Sequence, residues 1–373
     1  MNRNIENGIM PHYRFIDILL YINFYAKSTD YPPKYRKREE RIMKTYAILC
    51  FVLALAMFVS PVAVLNFSEF SAENVRAALF PDSEETETQT ANAEVSTDTV
   101  AVLQAASGKV VELSTLEYLV GCVACEMPPD YSEEALKAQT VTAYTNLMRL
   151  KTNPDGKAGD ADITDDTGTH QGYYDEATRK EKWGEKYEIY NEKITNAVKA
   201  VLGQTLTYEG AYITAAYFAL CPGRTESAKN IWGGDIPYLV SVTSPGDKLS
   251  PNYSETVTLS EADVKEAAQK QGITLSGDAA NWISGLAFSE NGTGVVTQIT
   301  FGGKVMTGQA FRTMLSLRSP AFTVKYGGGN FTFTVTGSGH FVGMSQYGAD
   351  YMARQGADYK EILAHYYPGT TLT

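Results

Sequence analysis

Residues 45–67 carry no charged side chain, and that stretch divides the chain into parts that must fold in different surroundings. An apolar run of ~20 residues is long enough to cross a bilayer as a helix. Lys34, Arg36, Lys37, Arg38, Arg41 and Lys44 crowd its N-terminal side, opposed by Glu39 and Glu40. Basic residues stay on the cytoplasmic side, so residues 1–44 are expected inside and everything after 67 outside. The competing reading is a cleaved signal peptide, with Ser60-Pro-Val-Ala63 as the processing region. The run exceeds an ordinary signal core of ~7–15 residues, which favours a retained anchor. Met43-Lys44 stands directly before it as an initiator and n-region would, so residues 1–42 read as a possible upstream extension.

Residues 1–67 hold nine Lys/Arg and five Asp/Glu. Of 32 basic and 43 acidic residues, 23 and 38 therefore remain in 68–373, a difference of −15. Such an acidic body does not suit a nucleic-acid partner. Residues 81–98 are acidic, rich in Thr and poor in large apolar groups, so residues 68–107 are expected to form a disordered tether. The 24 Tyr against 15 Phe fit a groove that stacks sugars, and equally fit half-buried strands.

Folded structure is expected from about Val110. Residues 116–125 read as a helix that stops at Met127, because Pro128-Pro129 forces the preceding residue out of helical geometry. A second helix is expected over 135–151, with Ser132 as N-cap and Lys137, Val141, Tyr144 and Met148 on one face. Residues 153–170 read as a polar loop. A third helix is expected over 183–202, its apolar set being Ile189, Ile194, Val198 and Val201. The period then changes to two, giving a hairpin over 206–218 that turns at Glu209-Gly210. A Ser260-capped helix over 259–272, strands over 295–303 and 322–335, and helices over 347–354 and 359–366 complete an α+β reading. Residues 242–320 are the expected inserted second domain of a catalytic region spanning 108–373.

Two distant segments hold the chemistry. Glu126 ends the first helix between Val123-Ala-Cys125 and Met127-Pro-Pro129, and apolar surroundings raise a carboxyl pKa towards the working range of a general acid. Gly337-Ser-Gly-His-Phe-Val-Gly-Met-Ser-Gln346 is a glycine-rich turn presenting His340, followed by Ser345 and Gln346 at a helix start. His340 reads equally as a ligand-facing group or as a hydrogen-bonded core histidine. Lys137 and Tyr144 share a face that the Pro turn is expected to fold towards Glu126. Arg224 and Glu226 follow a strand in Cys221-Pro-Gly-Arg-Thr-Glu226, to pair or to face the groove. Cys122 and Cys125 read as small packing residues. There is no Gly-x-Ser-x-Gly elbow, P-loop or dinucleotide fingerprint.

At these residues the chain resembles the stage II sporulation protein D family (SpoIID/LytB domain). The segments that carry the likeness are 120–139, 221–239 and 337–369, within which Ile362-Leu-Ala-His-Tyr-Tyr-Pro-Gly369 also matches. The resemblance implies a two-domain α+β ectodomain with a cleft, on a single-pass anchor, facing the intermembrane space of a sporulating cell. It implies a lytic transglycosylase acting on peptide-stripped peptidoglycan strands, with Glu126 as the catalytic acid/base and Lys137 in the active site. Tyr144, Arg224, Glu226, His340, Ser345 and Gln346 are then substrate-binding candidates. An amidase and other membrane-bound engulfment proteins are the implied partners; a catalytically weak glycan-binding scaffold or amidase enhancer is the alternative. The chain departs from the family pattern at Tyr144, where Arg is common, at Cys221-Pro222 and at Phe341, which is expected to narrow the groove. Thr164 and Gln171 stand where a zinc-binding variant has Cys, so no metal and no cofactor are expected.

Overall fold

The structure, a computed structural model, describes residues 99–373; the expected membrane span and most of the tether lie outside the described residues. In chain order the elements are β1 (Thr99–Leu103), β2 (Val110–Ser114), α1 (Thr115–Glu126), α2 (Glu133–Thr152), β3 (Ile163–Thr164), α3 (Glu176–Trp183), α4 (Tyr187–Val201), β4 (Leu206–Tyr208), β5 (Ala211–Tyr212) and β6 (Tyr217–Phe218). There follow α5 (Ala228–Trp232), β7 (Ser254–Ser260), α6 (Glu261–Lys270), β8 (Ile283–Phe288), β9 (Val296–Phe301), β10 (Lys304–Met306), α7 (Gly308–Met314), β11 (Phe322–Gly327) and β12 (Asn330–Thr336). β13 (Met344–Ser345), α8 (Gln346–Arg354), α9 (Tyr359–Tyr366) and β14 (Thr371–Leu372) close the chain. The architecture is mixed α+β with several small sheets.

Ordered structure begins before Val110, which corrects the expected extent of the tether. β1 pairs antiparallel with β2 in the register Val100↔Leu113 and parallel with β3 through Val102↔Ile163. Val100 and Val102 are fully buried, so a short period-two run follows directly on the acidic stretch. Ser114 ends β2 and caps α1, its hydroxyl accepting from the Glu117 amide at 3.2 Å. α1 is buried on most sides, with Tyr118, Leu119, Cys122 and Val123 all at zero exposure. It stops where expected: Met127 is extended, with φ −131° and ψ 137°. Ser132 precedes α2 but makes no side-chain cap. Its amide instead donates to Asp350 Oδ1 of α8 at 2.7 Å.

The expected third helix over 183–202 is α4, which starts at Tyr187, and a further helix not read from the sequence, α3, precedes it. α3, capped by Asp175, ends at Gly184, whose φ of 50° favours glycine, and α4 restarts after a 3-10 turn. Ile189 is 69% exposed, and Tyr187 takes its place beside Ile194, Val198 and Val201. Glu209 and Gly210 both have positive φ, as a type I′ hairpin between β4 and β5 requires. β6 leaves that hairpin and pairs parallel with β13.

The helices α1, α2, α4, α8 and α9 share one apolar core. A second core is built from Val264, Ala268, Trp282, Ile299, Phe301, Phe311, Phe322, Phe331, Phe333 and Val335. Its sheets are β11-β12-β7 and β10-β9-β8, so β11 and β12, which follow residue 320, belong to it. Ser260 and Asp263 form a reciprocal capping box at α6. A small third cluster holds Phe218, Cys221, Val295, Ala321 and Phe341. Among the described residues no helix is long and apolar enough to cross a membrane.

Candidate active site

Glu126 is the last residue of α1, where the helix has just run out and the Pro pair turns the chain away. Its carboxyl is half-buried. Oε1 accepts from the Gly172 amide at 2.8 Å, and the Tyr217 hydroxyl bonds the same carboxyl group. Burial raises its pKa above the ordinary carboxylate range, while the Gly172 and Tyr217 donors pull it back. Among the described residues, no other carboxylate acts on it.

The two donors come from loops that glycines press against the core. The loop before α3 lies across α1 because Gly121 and Gly172 have no side chain. A Cβ on Gly121 would sit 2.2 Å from the Tyr173 ring, and one on Gly172 2.4 Å from Cys125 Sγ. Tyr174 donates its amide to the Gly121 carbonyl at 3.1 Å, which fixes the loop. His170 clasps the loop behind: Nδ1 accepts from the Thr164 amide at 3.2 Å and Nε2 meets Asp155 Oδ2 at 3.1 Å. Among the described residues, no three His, Cys, Asp or Glu side chains form a metal-ligating group.

Gln171, buried, sits behind the acid. Its amide nitrogen donates to the Tyr118 hydroxyl at 3.1 Å and the Ala143 carbonyl at 3.2 Å. Its carbonyl oxygen lies 3.2 Å from the Tyr217 hydroxyl, whose one proton is shared between it and the Glu126 carboxyl, and it accepts from Asn146 at 3.4 Å. Asn146 also closes a pair of bonds with the Ala215 backbone, at 2.9 and 3.1 Å, and so holds the strand that carries Tyr217.

The glycine-rich segment packs on that same strand. At Gly343, with φ 81°, a Cβ would lie 2.0 Å from the Ala216 carbonyl oxygen; at Gly339, with φ 112°, it would lie 2.6 Å from Phe218 Cβ. His340 Nδ1 accepts from the Val342 amide at 3.1 Å, and the ring also bonds the Tyr217 backbone. Burial, then the Arg312 charge, push its pKa down to about 4, so the ring is neutral. The hydrogen-bonded reading of His340 therefore describes its geometry. Gln346, at the start of α8, donates to the Glu126 carbonyl at 2.8 Å and to Gln139 Oε1 at 3.3 Å. Ser345 caps α8 through Gly348 and donates to Asp247 Oδ1 at 2.9 Å.

Other sequence candidates lie differently. Lys137 pairs with Glu133 at 2.9 Å and Glu134 at 2.8 Å, and it is not among the groups that set the Glu126 pKa. Gln139, two residues on and about 200° round the helix, is fully buried and accepts from Gln346, which holds the Glu126 carbonyl. Tyr144 packs half-buried against the first core. Glu226 is fully buried and bonded by Asn230, Ser289, Asn291 and Thr293, not by Arg224, which bridges backbone to Thr243. Phe341 does not narrow a groove. Its φ of 68° turns it inward, and it is fully buried against Phe218 at 5.6 Å.

The residues not picked out from sequence are Gly172, Tyr217, Gln171, Asn146 and Asp247. Asp247 is buried under α8. It accepts from the Cys221 amide at 3.0 Å, the Cys221 thiol at 2.6 Å and Ser345, and burial lifts its pKa to about 6. A half-buried carboxyl with one backbone and one phenolic donor, and no second carboxylate in its balance, can hold and return a proton.

The family model described as "Stage II sporulation protein" matches residues 104–208. Stage II sporulation protein D of Bacillus subtilis (strain 168) is 37% identical over 340 residues, covering 89% of this chain and 96% of its own length. Stage II sporulation protein D of Bacillus amyloliquefaciens is 40% identical over 275 residues, 74% of this chain and 78% of that one. An amidase enhancer of Bacillus subtilis (strain 168) is 30% identical over 309 residues, 68% of this chain and 40% of that protein.

Proposed function

The chain belongs to the stage II sporulation protein D family, and from that premise we propose that it is a lytic transglycosylase of peptidoglycan that works during engulfment. The observation that carries the reading is the Glu126 carboxyl, whose pKa burial raises while the Gly172 amide and the Tyr217 hydroxyl pull it back. Glu126 protonates the glycosidic oxygen between MurNAc and GlcNAc as the bond breaks. The resulting carboxylate then takes the proton of the MurNAc C6 hydroxyl, which closes a 1,6-anhydro ring. One carboxyl serves both steps, so the second carboxylate of ordinary glycosidases is not needed. Tyr217 donates to the carboxylate as it forms, and Gln346 fixes the Glu126 backbone.

The same reading anchors the chain through residues 45–67, with 68–373 outside and peptide-stripped glycan strands as substrate. Lys137, Tyr144 and Arg224 are assigned to the substrate face. A second reading is a glycan-binding scaffold that stimulates an amidase, favoured by the likeness to a protein named amidase enhancer.

Glu126→Gln separates the two. Removing general acid/base help costs ~10²–10⁴-fold in rate. The detergent-solubilised full chain is incubated with peptide-free glycan strands and the products are weighed by mass spectrometry. Anhydro-ended fragments from the parent, lost by that factor in E126Q with glycan binding retained, support the enzyme. Intact strands with both proteins support the scaffold.

A further inference from the structure

Trp232 stands out from its surroundings. It is 44% exposed, whereas Trp282 is 7% exposed and Trp183 stacks on Tyr187. An exposed indole on a rigid support is a face on which a ligand can stack.

The support is unusually well built for one helical turn. α5 is five residues long and would not hold its shape alone. Ser227 caps it at the Asn230 amide, and Gly233, with φ 80°, ends it directly after the tryptophan. The buried Glu226 carboxylate then ties it to the turn between β8 and β9. Oε2 accepts from Asn230 Nδ2 at 3.0 Å, Asn291 Nδ2 at 2.9 Å and Ser289 at 3.2 Å, and Oε1 accepts from Thr293. A buried carboxylate without a cation is tolerated only when its lone pairs are filled in this way. The result is a one-turn platform braced from both sides.

The platform is continuous with the acid. The Trp232 ring lies 5.3 Å from the His340 ring at 56°, and His340 meets Phe218 edge-on at 5.7 Å on its other side. His340 is fixed by Val342 and by the Tyr217 backbone, and the Tyr217 hydroxyl bonds Glu126. His340 is neutral and saturated with protein partners, so it offers an incoming ligand no charge. Beside the Arg312 charge felt at His340 and the exposed Lys229–Asp235 pair at α5, this edge of the site presents an aromatic face. A pyranose ring matches it, with a face of C–H bonds for the indole and hydroxyls left for water. We propose that Trp232 is a sugar-stacking subsite that holds the glycan strand beside Glu126, with Glu226 as the positioning residue beneath it. This rests on the glycan-strand reading given above.

The test uses the full chain in detergent carrying E126Q, so that substrate is bound and not consumed. Peptide-free glycan strands are titrated in, following intrinsic tryptophan fluorescence and, separately, retention of labelled strands. The expected result is a saturable fluorescence change that vanishes in W232F and W232A. Retention should weaken on the order of tenfold in W232A, as for loss of an aromatic anchor, and much less in W232F, which keeps a ring. With Glu126 intact, W232A should raise the half-saturating glycan concentration while the rate at saturation stays near parental. Circular dichroism melting of W232F near the parent excludes unfolding. If W232A binds strands as tightly as the parent, or W232F is as weak as W232A, the subsite is refuted while the transglycosylase reading stands. If the E126Q chain retains no strands at all, both fall together.

Discussion

Tyr217→Phe probes the acid without touching it. The substitution removes one hydroxyl from a half-buried site and leaves the ring, its backbone pairing with β13 and the Gly172 amide in place. A hydrogen bond to a charged group is worth roughly 1.5–3 kcal/mol. At about 1.4 kcal/mol per pKa unit, its loss raises the Glu126 pKa by about 1–2 units. The direction follows from the present balance, in which burial already raises that pKa and Tyr217 lowers it. Gln171 loses one donor but keeps Asn146, so the cost to folding is about 1 kcal/mol. The protonated acid starts the reaction, so kcat/KM falls as pH rises through the Glu126 pKa, and in Y217F that basic limb moves up by the same amount. Carboxyl-carbon NMR of Glu126 reads the shift with no substrate present. The linkage also has a sign: a carboxyl whose folded pKa lies above its unfolded value loses stability as pH rises through the folded value. Y217F should therefore melt lower than the parent at every pH by the Gln171 cost, with the gap widening above that pKa. An NMR pKa that stays put or moves down would refute the placement of the Tyr217 hydroxyl on Glu126.

Gly343→Ala should be the most damaging single methyl in this region, because its Cβ would fall 2.0 Å from the Ala216 carbonyl at a φ of 81°. A loss of several kcal/mol in chemical denaturation is expected, and a near-parental midpoint would mean that the loop can move aside. His340, held down to about 4, stays neutral in the fold but charges at about 6.5 when unfolded. Its share of stability is full above the unfolded value and drains as pH falls from there to about 4, by at most ~3 kcal/mol. Asp247, lifted to about 6, opposes it, since its own share is lost as pH rises through that value. H340Q removes the His340 slope and leaves that of Asp247, so its stability should rise relative to the parent as pH falls from about 6.5 to about 4, and identical slopes would count against the neutral buried ring. Protease shaving of protoplasts should remove residues 68–373 and spare residues 1–44; the reverse pattern would invert the proposed topology.

What the sequence discloses and what it conceals divide along one physical line. Glu126 is legible because its position is set by its neighbours in the chain: an apolar helix, then two prolines that end it. The final helices and the Glu209-Gly210 turn are legible for the same reason, since caps and positive-φ residues act locally. The partners of Glu126 are not legible in that way. The Gly172 donor is a backbone amide, which every residue but proline carries, and its use depends on a glycine 46 residues on from Glu126 fitting against Cys125. Tyr217 is one of 24 tyrosines and is selected only by the parallel pairing of β6 with β13, a contact between segments more than 120 residues apart. Phe341 misleads because a bulky residue in a glycine's place in the family pattern is read as filling the groove, whereas its positive φ turns the ring into the core. β1 is hidden because five residues of strand follow an acidic run whose composition dominates any window drawn over both. In this chain the acid is therefore a local feature and its tuning a tertiary one. A relative that keeps Glu126 but loses the glycines at 172 or 343 should keep the motif and lose the pKa balance. Introducing G172A into this chain tests that point directly. The Cβ meets Cys125 Sγ at 2.4 Å and lies 3.4 Å from Glu126 Oε1, so the amide must withdraw from the carboxyl. The Glu126 pKa should then rise as in Y217F, by about 1–2 units for one charge-assisted bond. Restoring space with C125A in the same chain should bring it part of the way back. A G172A pKa equal to the parent's would show that the amide at 172 does not hold the acid.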